Sequence, residues 1–217
     1  MKNFAIVLSG CGVYDGAEIH EATLAMLAIC QKGHSYQLFA PNISQFHVIN
    51  HLTGEEMPET RNVLVEAARI ARGKISDLTI FDVAEYDVLL FAGGFGVVKN
   101  LCDFAVKGND YKVIEDVRKM IAVMHNAGKP VGAMCVSPIL IADVLYGAEI
   151  TLGESCGASV AAEKHGAQHH ITTHGEITVD KKNKVATTPC YMLDANIAQI
   201  AEGADNLIDA LLKLTYL

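Results

Sequence analysis

Two hydrophobic patterns alternate along this chain of 217 residues. Short, nearly unbroken apolar runs at Lys2–Leu8, Tyr36–Ala40, Val88–Phe91 and Pro130–Ala133 read as strands buried on both faces. Between them lie longer segments whose apolar positions recur every three to four residues. The first is Glu18–Gln31, with Ile19, Ala22, Met26 and Ile29 on one face. Arg61–Arg72 follows, through Val63, Val65, Ala67, Ala68 and Ile70, and then Tyr111–Asn126. Gly33, Gly73 and Gly128 stand where these helices must stop. Strand, helix and strand in alternation predict an α/β protein built on a parallel sheet.

The remaining stretches are less regular. Pro41–Pro58 carries Phe46, Val48, Ile49 and Leu52 around a turn at Thr53-Gly54-Glu55-Glu56, and reads as an insertion packed over the sheet. Leu78–Phe81 predicts a short edge strand. Beyond Leu145 the expected elements are a strand at Ile150-Thr151-Leu152, a short helix at Ala158–Lys164, and a hairpin turning at Lys181-Lys182-Asn183. Asp194 or Asn196 caps a final helix bearing Ile197, Ile200, Leu207, Ile208, Leu211 and Leu212. With no repeat, low-complexity tract or linker, residues 1–217 are expected to form one domain.

Composition narrows the function. Hydrophobic residues make up 51% and charged residues 19%, which excludes a disordered chain. A formal charge of −8 argues against nucleic-acid and anionic-membrane partners, and no apolar run is long enough to span a bilayer. Six cysteines without a C-x-x-C pair suit the reduced thiols of a cytoplasm or an organelle matrix, and the cytoplasm is the expected location.

The chemistry gathers at Lys129–Pro138. Cys135 falls where a buried strand turns into a helix that begins near Val136, so its sulfur should leave the carboxyl edge of the sheet facing helical N–H groups. That placement is expected to favour the thiolate, the form a nucleophile needs. The loops Ser9–Glu18 and Gly93–Gly96 end at the same edge if the sheet is parallel. Glu18, at a helix start, is the candidate acid–base partner; beside a thiolate it should be protonated and could carry a proton between substrate atoms. Gly93-Gly94-Phe95-Gly96 matches neither G-x-G-x-x-G nor a P-loop, and offers close backbone approach and free amides instead. Cys11, Cys156 and Cys190 also fall near this edge. His165, His169, His170 and His174 form the one histidine cluster, but their spacing is broken by Gly166 and completed by no cysteine or carboxylate, so a solvated polar patch is expected rather than a metal site.

Several strings resemble the ElbB-type proteins. They are Ser9-Gly10-Cys11-Gly12-Val13-Tyr14-Asp15-Gly16 with Glu18-Ile19-His20-Glu21-Ala22, and Val48-Ile49-Asn50-His51-Leu52-Thr53-Gly54-Glu55. Glu59-Thr60-Arg61-Asn62-Val63-Leu64, Gly93–Gly96 with Lys99-Asn100-Leu101, His125–Pro130, and Thr187-Thr188-Pro189 with Tyr191-Met192-Leu193 extend the likeness over nearly the whole length. That family belongs to the class I glutamine amidotransferase-like, PfpI-related superfamily. The resemblance implies a flavodoxin-like three-layer sandwich with a nucleophile elbow at Cys135. It also implies Glu18 as the acidic partner and an oxyanion site made by the amides of Gly94, Phe95 and Val136. The activity implied is a glutathione-independent glyoxalase of the lyase class, converting glyoxal (and methylglyoxal) to the 2-hydroxy acid without metal or organic cofactor. An apparent deglycase activity would share its first step, and a homodimer is implied. Glutaminase domains place a H-x-E element late in the chain; His174-Gly175-Glu176 does not align with it, so a Cys135–Glu18 dyad is expected in place of a triad. The alternatives are a redox or stress sensor acting through Cys135 oxidation, and an amidotransferase-like accessory protein of isoprenoid biosynthesis.

Overall fold

A computed structural model describes all residues from Met1 to Leu217. Seven strands form the central sheet: β1 (Asn3–Val7), β2 (Ser35–Ala40), β3 (Ile75–Asp77), β4 (Val88–Phe91), β5 (Val131–Met134), β6 (Thr178–Asp180) and β7 (Val185–Thr188). Their spatial order is β6-β7-β5-β4-β1-β2-β3, and every pairing is parallel except the β6–β7 hairpin. The flavodoxin-like three-layer α/β sandwich expected above is the architecture found.

Alternation along the strands divides the core into two layers. Phe4, Ile6 and Leu8 of the β1 segment, with Val88 and Leu90 of β4, face one side. Ala5, Val7, Leu89 and Phe91 face the other. On the first side lie α1 (Ile19–Gln31), α2 (Val63–Ile70) and, at the chain end, α6 (Ile197–Leu214). On the second lie α3 (Glu115–Asn126), α4 (Pro138–Val144) and α5 (Gly157–Lys164).

Two expected elements are displaced. The edge strand is Ile75–Asp77, not Leu78–Phe81; Leu78–Ile80 is a 3-10 turn whose start is capped by the Asp77 side chain. In α1 the buried stripe is Glu21, Ala22, Ala25, Ala28 and Ile29, while Ile19 is exposed. Small side chains form that stripe because α1 packs closely against α6, where alanines allow near approach. The Pro41–Pro58 insertion folds into a two-residue hairpin of Val48–Ile49 with Glu56–Met57, tied to the body where the Asp15 carboxylate accepts the Ile49 N–H at 2.7 Å.

Asn196 caps α6: its side-chain oxygen accepts the N–H groups of Ala198 and Gln199, and the Gln199 side chain returns to the Asn196 N–H. Asn196→Ala is expected to lower stability by about 1 kcal/mol in denaturant unfolding.

Candidate active site

Three chain segments meet at the carboxyl edge of β1, β4 and β5, where the strand order lets loops converge. Cys135 follows β5 directly and has φ +58°, a left-handed conformation that costs a non-glycine residue roughly 1–2 kcal/mol. The bend is held on three sides. The Cys135 N–H donates to the Thr188 carbonyl at 3.0 Å, the Ser137 N–H to the Met134 carbonyl at 3.0 Å, and the buried Ser137 hydroxyl to the Ala92 carbonyl at 2.7 Å. Pro138 then starts α4 at a position where no N–H is missed.

Cys135 is almost fully covered, 7% exposed, yet it lines a cleft of about 450 Å³. Val13, Phe95, Val98, Phe104, Val136 and Met192 give that cleft an apolar wall, and Cys156 and Tyr191 also border it. Backbone N–H groups of Gly94 and Val136 point at the sulfur. Burial nevertheless pushes the thiol well above its ordinary value, and the charge of Glu21 adds to that shift. The expectation of a resting thiolate is therefore corrected: two amides lower the sulfur less than loss of water and a neighbouring carboxyl raise it.

The carboxyl group beside Cys135 belongs to Glu21. Its two oxygens are also fixed by backbone donors, Oε2 by the Gly93 N–H at 3.1 Å and Oε1 by the Tyr191 N–H at 3.2 Å. Completely buried, Glu21 has its carboxyl pushed up to about 8, by burial first and by the charge of Glu18 second. Acid and thiol act as one coupled unit that keeps a proton near neutrality, because two adjacent buried anions repel.

Glu18 sits one turn away. It is the N-cap of α1, with Oε2 accepting the Glu21 N–H at 2.7 Å and Oε1 lying 3.9 Å from His20 Nδ1. Its charge adds to the burial that raises Glu21, but its oxygens are directed at the helix end and at His20. Of the three amides expected at the oxyanion site, those of Gly94 and Val136 face the Cys135 sulfur. The Phe95 N–H is spent on the Val13 carbonyl at 2.7 Å, so Phe95 contributes its ring to the cleft wall and no hydrogen bond.

Glu21 carried a legible signal. It lies three residues after the cap and on the same stripe as Ala25 and Ala28, and a charged residue on a buried face calls for a partner. Cys190, on the next loop, is buried close enough for Cys135 and Glu21 to raise its thiol further. The four clustered histidines part company. His165 faces Asp143 at 3.0 Å, His170 faces Glu149 at 3.0 Å, His174 bonds the Asp194 carbonyl at 2.9 Å, and His169 Nε2 has no partner. No three His, Cys, Asp or Glu side chains are grouped to hold a metal ion.

Gly93 brings the loop into contact with the pair. A Cβ there would lie 2.3 Å from both Cys135 Cβ and Glu21 Oε2. Gly93→Ala is expected to separate acid from sulfur and to destabilise the fold by roughly 3 kcal/mol, read by thermal unfolding together with the alkylation rate of Cys135.

No family model matches the chain, but individual proteins do. It is 44% identical over 221 residues to the human glutamine amidotransferase-like class 1 domain-containing protein 3, mitochondrial, covering 97% of this chain and 82% of that protein. The rat ES1 protein homolog, mitochondrial, is 43% identical (97% and 83% covered), and the zebrafish ES1 protein, mitochondrial, 34% (98% and 86%). A crystal structure of an isoprenoid biosynthesis protein with amidotransferase-like domain from Ehrlichia chaffeensis superposes with TM-score 0.91 at 32% identity, covering 99% of this chain and all of that one. Glyoxalase III from Candida albicans shares the fold at TM-score 0.63 and 16% identity, over 96% and 97% of the two chains. The mitochondrial naming of all three curated relatives overturns the expected cytoplasmic location: reduced cysteines and an acidic surface are equally at home in an organelle matrix.

Proposed function

We propose that this chain, which belongs to the glutamine amidotransferase-like class 1 family of ES1-type proteins, is a cofactor-independent glyoxalase acting on small 1,2-dicarbonyls. One observation carries the reading: a cysteine held at positive φ lines a small apolar cleft, with a protonatable, fully buried glutamate packed beside it and two backbone amides at its sulfur. The glyoxalase name of a fold neighbour adds to it.

In the proposed reaction the Cys135 sulfur adds to one aldehyde carbon of glyoxal, and the thiol proton passes to the new alkoxide. The Gly94 and Val136 amides stabilise the negative charge that develops on that oxygen. The ionised form of Glu21, rather than Glu18, then removes the hydrogen from the hemithioacetal carbon, becomes the carboxylic acid, and gives a proton to the neighbouring carbon through an enediolate, which regenerates the carboxylate. The attacked carbon is thereby oxidised to a thioester and its neighbour reduced to a hydroxymethyl group. Water cleaves the thioester, releasing glycolate and the free thiol. The net change is one dicarbonyl plus one water giving one hydroxy acid, so no external oxidant or reductant enters. The raised Glu21 carboxyl suits such a shuttle, since an acid poised near 8 can both give and take a proton at neutral pH.

Purified protein incubated with glyoxal is the test. Glycolate formed by the wild type and lost in Cys135→Ala supports the assignment. Turnover that persists in Cys135→Ala overturns it. Copurification with a second polypeptide, together with no turnover, would favour the accessory-protein alternative.

A further inference from the structure

The wall of the Cys135 cleft is apolar apart from the sulfur and the nearby amides, with one further polar group at its border. That group is the Tyr191 side chain, which lines the cleft from the loop following β7. Its backbone N–H holds Glu21 Oε1, so the residue is tied into the acid–thiol unit. Its hydroxyl lies 2.9 Å from His20 Nδ1, and Glu18 Oε1 lies 3.9 Å from that same nitrogen. In the tautomer that carries its hydrogen on Nδ1, the ring donates to the phenol oxygen, which leaves the phenol hydrogen for an oxygen atom in the cleft.

We propose that Tyr191, oriented by His20 and Glu18, is a specificity-determining residue that donates a hydrogen bond to the second carbonyl oxygen of the substrate and so selects 1,2-dicarbonyls over simple aldehydes. The inference rests on the glyoxalase reading and adds to it the residue that selects the substrate. It also gives Glu18 and His20 work that neither has at the sulfur: both act through Tyr191 as positioning residues. An apolar cleft alone distinguishes glyoxal poorly from an aldehyde of similar size, whereas a hydrogen bond to the second oxygen discriminates directly.

The readout need not be turnover. A carbonyl compound that adds to the Cys135 sulfur protects it from iodoacetamide, and protection is followed by mass spectrometry of the Cys135 peptide, since Cys30 is exposed and also reacts. Glyoxal and propanal are each titrated against the wild type and Tyr191→Phe, which keeps the ring and the backbone donor and deletes only the hydroxyl. In Tyr191→Phe the glyoxal concentration for half protection is expected to rise roughly tenfold, the weight of one hydrogen bond. The propanal value and the unprotected alkylation rate should not move. His20→Ala, which frees the hydroxyl to turn, is expected to shift the glyoxal value in the same direction by a smaller factor. Equal shifts for both carbonyls in Tyr191→Phe, or no shift for either, would overturn the inference while glycolate formation by the wild type kept the underlying reading standing. Protection by neither compound, with no glycolate formed, would remove that reading and the inference with it.

Discussion

Glutamine in place of Glu21 is expected to cut glycolate formation about 10²- to 10⁴-fold, the range associated with losing a positioned general acid–base. The amide oxygen can accept only one of the Gly93 and Tyr191 N–H groups, so one backbone tie is lost, and the amide cannot carry a proton from one carbon to the next. Glu18→Gln should behave differently. Its amide oxygen can go on capping the Glu21 N–H, so the rate should stay within roughly tenfold of wild type. Removing the Glu18 charge relaxes one of the two causes that raise Glu21, and the pH dependence of turnover should therefore move to lower pH. Reversed magnitudes, with Glu18→Gln inactive and Glu21→Gln active, would restore the pairing expected from the sequence. Steady-state glycolate production by the two variants across pH 5–9 distinguishes these outcomes.

The same substitution has a large expected effect on stability. Glu21 binds its proton more tightly when folded, at about 8, than at its ordinary value of 4.5. A raised value means that the associated stability is fully present below about pH 4.5 and is lost progressively until the folded group ionises near 8. Over that window the wild type should lose up to roughly 5 kcal/mol on account of this one group. Glu21→Gln carries no such group, so the stability difference between variant and wild type should grow in the variant's favour from pH 4.5 to 8 and then level off. Denaturant unfolding at several pH values measures it. A difference that stays flat with pH would mean that Glu21 is already ionised in the native protein. Gained stability alongside lost activity is what an acid buried for chemistry should show.

Legibility in the sequence followed physical cause. Strands buried on both faces announced themselves as apolar runs, and Val88–Phe91 ends in the structure where the pattern ends. The elbow was readable because a short strand, a cysteine and a proline-started helix leave few ways to fold. The phase of α1 was harder. Ile19 and Met26 looked like its buried face because they are large, but close packing on α6 selects the alanines instead, and Glu21 rides on that alanine stripe. Reading the stripe from the large side chains drew attention to Glu18, the residue that caps the helix, and away from Glu21, the carboxyl that lies beside Cys135. The fate of the Phe95 amide could not be read from glycine spacing, since its partner, the Val13 carbonyl, comes from a loop far away in sequence. The cost of burial at the Cys135 sulfur likewise depends on how tightly neighbouring loops close over it, which residue order alone does not give.

The proton's route can be followed directly. Glyoxal turned over by the wild type in heavy water, with the glycolate read by proton NMR, reports whether hydrogen passes through an exchangeable group. A shuttle through the Glu21 carboxyl predicts glycolate carrying one solvent-derived deuterium on its hydroxymethyl carbon. Glycolate that retains both original hydrogens would mean direct transfer between the carbons, and would contradict the Cys135–Glu21 account.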